Sequence, residues 1–141
     1  MRVSGENENI ETGVRAVDAE HGVQLRLLDA LAVAIELDRP REEILPVLDQ
    51  LVSYTNAHFL SEQLLMRLHA YPEYDRHIQE HDRLIEQVHS VQRAFESGHD
   101  PAAHDLLLYL RDWLLGHMRT MDRAFGQYLA QGRGPAQPAP A

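Results

Sequence analysis

Four stretches of the chain carry apolar residues mostly three or four positions apart, and only a few residues separate one stretch from the next. That spacing is typical of amphipathic helices, and it predicts helices over about 16–37, 41–69, 73–96 and 101–130. Pro40, Pro72 and the Gly98 to Pro101 segment mark the breaks between them. Because short connections make consecutive helices antiparallel neighbours, we expect an all-α, up-down-up-down antiparallel four-helix bundle.

The two ends of the chain lack this periodicity. We interpret residues 1–15 as an irregular N-terminal arm, 16–130 as the bundle and 131–141 as a disordered tail, because the Gly/Pro/Ala-rich end offers nothing to bury. A length of 141 residues suits a single domain.

Composition excludes several classes of site and partner. The chain has no cysteine, which removes disulfides, thiolate catalysis, iron–sulfur clusters and thiolate zinc sites, so any metal must be bound by nitrogen and oxygen. A net charge of −9 argues against sequence-independent binding of nucleic acid. No apolar run is long enough for a membrane span and the first residues do not resemble a signal peptide, so we expect a cytoplasmic protein without membrane insertion.

Histidine is the compositional excess, and seven metal-ligand residue types fall on the four predicted helices. They are His21, His58, Glu62, His77, His81, His117 and Asp122. Helical residues four positions apart share a face, so the pairs His58/Glu62 and His77/His81 can each direct two ligands at one point. His117 and Asp122 are five apart, roughly 140° on an ideal helix. That pair requires either a reach across a wide core or a local π-type distortion.

Each of these residues alone is more simply explained as a solvated side chain. Together, five imidazoles and two carboxylates that interrupt apolar stripes are costly to bury without a metal. One structural zinc uses four ligands, so seven candidates favour a dinuclear site. Imidazole donors suit iron, copper or zinc, whereas the scarcity of carboxylates argues against calcium and magnesium.

The chain resembles the hemerythrin family, specifically its bacterial single-domain members. The resemblance runs from about Val14 to Leu129 and rests on the seven positions together with the runs His-Phe-Leu-Ser-Glu-Gln-Leu-Leu-Met at 58–66 and Trp-Leu-Leu-Gly-His at 113–117. It implies two iron ions: His77, His81 and His117 would bind one, His21 and His58 the other, and Glu62, Asp122 and an oxo or hydroxo group would bridge them. It also implies an open position on the iron with two histidines, where dioxygen binds.

Four apolar residues resemble the family's oxygen-pocket lining, although ordinary core packing would explain them equally well. They are Phe59, Trp113, Leu114 and Met118. Gln63, Met118 and Phe125 differ from the glutamate, isoleucine and tyrosine common in bacterial members, and none of the three removes a ligand. We expect Asp18 either to accept a hydrogen bond from a ligand imidazole or to be solvated.

The remaining histidines are expected to lie outside the site. His69 is about two helical turns from Glu62, and we expect His89, His99 and His104 to be solvated.

The resemblance implies reversible dioxygen binding by a carrier, store or delivery protein rather than an enzyme. Two alternatives remain: a diiron enzyme that acts on peroxide or nitric oxide, and an oxygen or redox sensor. A set of five neutral imidazoles and two carboxylates is less anionic than that of ferritin-like diiron enzymes and should favour the ferrous state. The expected partners are dioxygen and a protein client that the sequence does not identify, and the expected assembly is a monomer or a weak oligomer.

Overall fold

The structure, a computed structural model, describes residues 10–132. Its helices are α1 (Arg15–Glu36), α2 (Arg41–Leu68), α3 (Tyr74–Glu96), α4 (Asp100–His117), a π-helical turn (Met118–Asp122) and α5 (Arg123–Ala130). The last three join into one rod, so four rods form the bundle, and the predicted all-α fold is confirmed. No helix within residues 10–132 is both long and apolar enough to cross a membrane.

Contacts between the rods give their directions. Residue numbers rise along one helix as they fall along its neighbour, which is the antiparallel relation predicted for short connections. The pairs are Glu20–His58 and Gln24–Thr55 between α1 and α2, and Asp29–Arg111 and Glu36–His104 between α1 and α4.

All three connections between rods begin with the same turn. In each, a backbone N–H bonds to a carbonyl five residues back, and the residue before that N–H has a positive φ, which is the Schellman geometry. The bonds are Arg39 N to Ala34 O, Tyr71 N to Met66 O and His99 N to Ala94 O, with φ values of 53° at Asp38, 48° at Ala70 and 83° at Gly98. Of the three positive-φ residues, only Gly98 had been predicted from the sequence to end a helix.

Two apolar clusters lie on either side of a polar layer in the core. The larger one fills most of the bundle and includes Leu28, Leu31, Leu48, Leu51, Val91, Phe95, Leu107 and Leu110. The smaller one is built from Met66, Tyr71 and Phe125. The polar layer between them contains the seven candidate ligands, so the apolar clusters fix its helices from both sides.

The segment before α1 is irregular and packs against the last helix. The Thr12 backbone N–H and hydroxyl donate to Asp18 Oδ1 at 2.9 and 2.8 Å, and Ile10 is buried. A Cβ at Gly126 would collide with the Thr12 carbonyl, so glycine is what allows this approach. Asp18 therefore binds Thr12, and the expectation that it accepts a hydrogen bond from a ligand imidazole was wrong. The rest of the predicted arm, residues 1–9, and most of the predicted tail, residues 133–141, lie outside the described residues.

Candidate metal centre

The structure brings all seven predicted ligand positions together in two overlapping groups. Within each group one nitrogen or oxygen atom per residue lies within 4.8 Å of the others. One group contains Glu62, His77, His81, His117 and Asp122, and the other contains His21, His58, Glu62 and Asp122. All seven are at most 3% exposed. Three histidines thus lie on one side, two on the other, and both carboxylates belong to both groups.

Regular helix geometry accounts for two of the ligand pairs, and the π turn accounts for the third. His58 and Glu62 on α2, like His77 and His81 on α3, are one turn apart on the inner face. In the fourth rod the five residues Met118–Asp122 are π-helical. This wider turn places Asp122 on the same face as His117 despite their five-residue spacing. Of the two possibilities open from sequence, the π-type distortion is the one the structure shows.

Each carboxylate divides its two oxygens between the two groups. Asp122 Oδ1 lies 2.9 Å from His77 Nε2 and 3.0 Å from His117 Nε2, whereas Oδ2 lies 3.0 Å from His21 Nε2. Glu62 Oε1 lies 3.0 Å from His77 Nε2 and from His81 Nε2, whereas Oε2 is the oxygen nearer His21, at 4.0 Å. Both carboxylates are therefore oriented to bridge two positions.

Many of these donor atoms are buried without a partner in hydrogen-bond geometry, although several lie 3.0 Å from an atom of another candidate ligand. They include Nε2 of His21, His58, His81 and His117, and both carboxylate oxygens of Glu62. An unpaired polar atom in a core is unfavourable. A metal cation stabilises a cluster of such nitrogen and oxygen atoms because it accepts their lone pairs. The residues present therefore fit a metal centre with nitrogen and oxygen ligands.

The charges within the layer compensate one another in the absence of a metal. Burial disfavours the charged form of His77, but Asp122 and Glu62 outweigh it and raise the pKa of His77 to about 9. Burial would raise the pKa of Asp122, yet His117, His21 and His77 hold it well below its usual range. The raised pKa values of His21 and His77 favour a proton on these two imidazoles beside the carboxylates, and a bound cation would displace such protons.

Two ligand candidates have an outer partner on their second ring nitrogen. Glu20 Oε1 lies 2.6 Å from His58 Nδ1, and the Gln63 amide lies 3.0 Å from His81 Nδ1. A carboxylate at Nδ1 fixes the proton there and leaves Nε2 free for a metal. Sequence reasoning missed Glu20, because its partner is on another helix, and considered Gln63 only as a departure from the family.

The four residues expected to line an oxygen pocket occupy two environments. Phe59, Leu114 and Met118 are buried, and the Phe59 ring stacks on His81 with centroids 3.9 Å apart and an interplanar angle of 2°. Trp113 is half-buried, its indole N–H donates to Glu80 Oε2 at 2.7 Å, and its ring lies 5.9 Å from that of Tyr109. Trp113 thus lies at the edge of the core.

The other histidines lie outside both donor groups. His104 was expected to be solvated, but its Nε2 is 2.7 Å from Glu36 Oε2 and its side chain is only 21% exposed. That expectation was wrong because a carboxylate on α1 faces it across the bundle. His69 ends α2, and its carbonyl accepts a hydrogen bond from the Tyr128 hydroxyl.

Residues 12–129 match the family model described as "Hemerythrin HHE cation binding domain". The chain belongs to the hemerythrin family. It is 32% identical over 129 residues to Bacteriohemerythrin of Ralstonia nicotianae, covering 92% of this chain and 90% of that one. It is 33% identical over 90 residues to Bacteriohemerythrin of Methylococcus capsulatus, covering 64% of this chain and 69% of that one.

A solved structure confirms the fold of this hemerythrin. The structure titled "Crystal structure of hemerythrin:wild-type" superimposes with a TM-score of 0.78 at 28% identity and covers 92% of this chain and 97% of that one. Residues 12–129, which match the family model, contain the polar layer and both apolar clusters except for Ile10. Family membership and the buried His/Glu/Asp group together indicate a metal-binding hemerythrin.

Proposed function

We propose that this hemerythrin binds dioxygen reversibly at a non-haem diiron centre and acts as an oxygen carrier, store or delivery protein. One observation carries the proposal: two donor groups, with three and two histidines, share both carboxylates. An octahedral ion has six ligand positions and cannot use all seven residues, whereas two octahedral ions bridged by carboxylates can.

The proposed ligands of one iron are His77, His81 and His117, and those of the other are His21 and His58, with Glu62 and Asp122 as bridges. The second side has one histidine fewer, so it leaves room for dioxygen. Two ferrous ions held by these residues would supply the redox chemistry that reversible binding of dioxygen requires.

The surrounding side chains hold this arrangement in place and keep it dry. Glu20 keeps the proton of His58 on Nδ1 and directs Nε2 toward the centre. Phe59 fixes the plane of His81 by stacking on it, and Leu114 and Met118 add buried apolar surface. We propose that these apolar side chains exclude water from the site, with Trp113 closing its edge. Three further statements remain predictions from the sequence: a cytoplasmic location, a protein client, and the absence of nucleic-acid partners.

The proposal is tested by a visible spectrum of the iron-loaded protein after anaerobic reduction and exposure to air. We expect an absorption band that develops with oxygen and disappears on degassing, over repeated cycles. Immediate and irreversible conversion to the oxidised spectrum would contradict an oxygen carrier and favour peroxide chemistry or redox sensing.

A matched pair of histidine variants links that band to the proposed site. His58→Ala removes one of the two histidines on the open side and should abolish the reversible band. His89→Ala changes a histidine outside both donor groups and should leave it intact. A reversible band in the His58→Ala protein would contradict the proposed place of oxygen binding.

A further inference from the structure

The outward face of α2 carries a continuous uncharged seam of five residues. Ser53, Ala57, Leu60, Leu64 and Leu68 follow one another at steps of three or four positions, the pattern of a helix–helix packing seam. All five are exposed, and the three leucines are 66%, 59% and 58% exposed. We call these residues the α2 seam.

Folding of the bundle does not use this seam. His58, Phe59, Glu62 and Met66, from the same turns of α2, are the residues that face the core. Aligned exposed leucines are unfavourable in water, and contiguous apolar surface of this kind marks an interaction site.

The seam has a large end and a small end. Leu60, Leu64 and Leu68 form a ridge toward the C-terminal end of α2, whereas Ser53 and Ala57 are small. The small end borders a groove of about 470 Å³ between α1 and α2, lined by Val23, Leu27, Gln50, Ser53, Tyr54 and Ala57. One face of the molecule thus carries both an apolar ridge and an apolar groove.

We propose that two copies of this chain pair through their α2 seams in antiparallel orientation, related by a two-fold axis near Leu60. This operation places the ridge of each copy over the groove of the other, with Leu64 opposite Ala57 and Leu68 opposite Ser53. Large side chains then meet small ones, as interdigitating helices require. A surface that complements itself in this way is what an isologous dimer needs.

The charges near the seam permit this pairing. The chain carries a net charge of −9, so two copies repel one another over most of their surfaces. Among the exposed residues from Ser53 to Leu68, however, Arg67 is the one charged residue, and the pairing brings it level with Tyr54 of the second copy. An arginine beside an aromatic ring is a favourable contact, and the two α1 charges that act on Tyr54, Glu20 and Arg26, have opposite signs.

The small size of the seam predicts a weak dimer. Its apolar core consists of three leucines per copy. The area that they can bury is smaller than the roughly 800 Å² that each partner buries in a standard interface. We expect a dissociation constant between about 10 µM and about 1 mM. The ligands on the inner face of α2 stay buried in either state, so iron content should not depend on dimerisation.

Sedimentation velocity of the full iron-loaded chain, from about 1 µM to about 1 mM, tests the proposal. We expect the weight-average mass to rise from one chain toward two. A constant mass of one chain over this whole range would overturn it, and so would continued growth past two chains, since a two-fold interface closes on itself.

Matched variants identify the surface. Leu64→Lys should keep the protein monomeric at every concentration, whereas Leu37→Lys, at a leucine 67% exposed beyond the end of α1, should dimerise like the parent. Equal dimerisation of both variants would overturn the assignment to α2.

A size exchange tests the antiparallel register. Ala57→Leu alone should weaken the dimer at least tenfold because two leucines then collide. Adding Leu64→Ala should restore it, since a leucine again faces an alanine in each half of the interface. Failure of the double variant to recover dimerisation would overturn this register, and far-ultraviolet circular dichroism of each variant would verify that the bundle is intact.

Discussion

The main apolar cluster and the polar layer of the bundle are built from the same helices but differ in how their buried groups are satisfied. In the apolar cluster, side chains such as Leu31, Leu51 and Val91 are buried among other apolar side chains. In the polar layer, imidazoles and carboxylates are equally buried. All but two of the buried side-chain atoms without a hydrogen-bond partner in residues 10–132 belong to the seven candidate ligands.

Within this one fold, the apolar clusters therefore provide stability and the polar layer provides the candidate metal ligands. Apolar burial stabilises the bundle, whereas each unsatisfied buried polar atom costs about 1–3 kcal/mol. The apolar clusters on both sides therefore have to hold the polar layer in place until cations bind. The following changes, in order of decreasing effect, are each directed at one part or the other.

Inserting an alanine after Thr120 should have the largest effect. The extra residue rotates Asp122 by about 100° away from His117, and Asp122 is common to both donor groups. We expect both irons to be lost, as measured by iron analysis of the purified protein. Deleting Thr120 is the control: it leaves a four-residue spacing, which suits an ordinary α-helical turn, and iron should be retained. Two irons in the insertion variant would contradict the role of the π turn.

His77→Ala and His117→Ala should each reduce iron well below two per chain. Both side chains belong to the three-histidine group and both approach Asp122 within 3.0 Å. The apolar cluster is untouched, so the helical circular dichroism of the metal-free protein should remain. If both variants retained two irons, the assignment of these ligands would be wrong.

Phe95→Ala tests the apolar cluster instead. Phe95 is 1% exposed, and removing a buried aromatic ring should lower the free energy of unfolding by about 3–5 kcal/mol. Urea denaturation of the metal-free protein measures this loss. The folded protein should still bind two irons, and a loss of iron without a loss of stability would contradict the separation of the two parts.

Glu20→Gln should have the smallest effect. The variant keeps a hydrogen-bond acceptor near His58 but removes the charge, which should weaken metal binding on the two-histidine side about 10- to 100-fold. Metal titration of the iron-free protein, with Glu42→Gln as the exposed control, measures the change. An unaltered affinity would show that Glu20 does not tune His58.

The sequence predicted most of the fold because helical periodicity is a local property. All four rods begin and end within one residue of their expected boundaries, and the seven candidate ligands lie together in two overlapping groups. The interactions that were missed depend on tertiary structure. Glu20 reaches His58 from another helix, and Glu36 reaches His104 across the bundle.

The π turn and the α2 seam are two further features that could not be predicted from the sequence. A five-residue spacing is compatible with more than one backbone path, and only the structure distinguishes between them. Leu60 and Leu64 are apolar residues of the kind that usually lie in a core. They are exposed because the candidate ligands occupy the opposite face of α2.

The position of Asp122 also sets an order of events during protein synthesis. Asp122 belongs to both donor groups, yet it follows the other six candidate ligands in the chain. A nascent chain that has exposed only the first three rods presents His21, His58 and His81 without one of the two shared carboxylates. Assembly of the complete centre must therefore wait until the ribosome has released the fourth rod, which makes metal capture a late step.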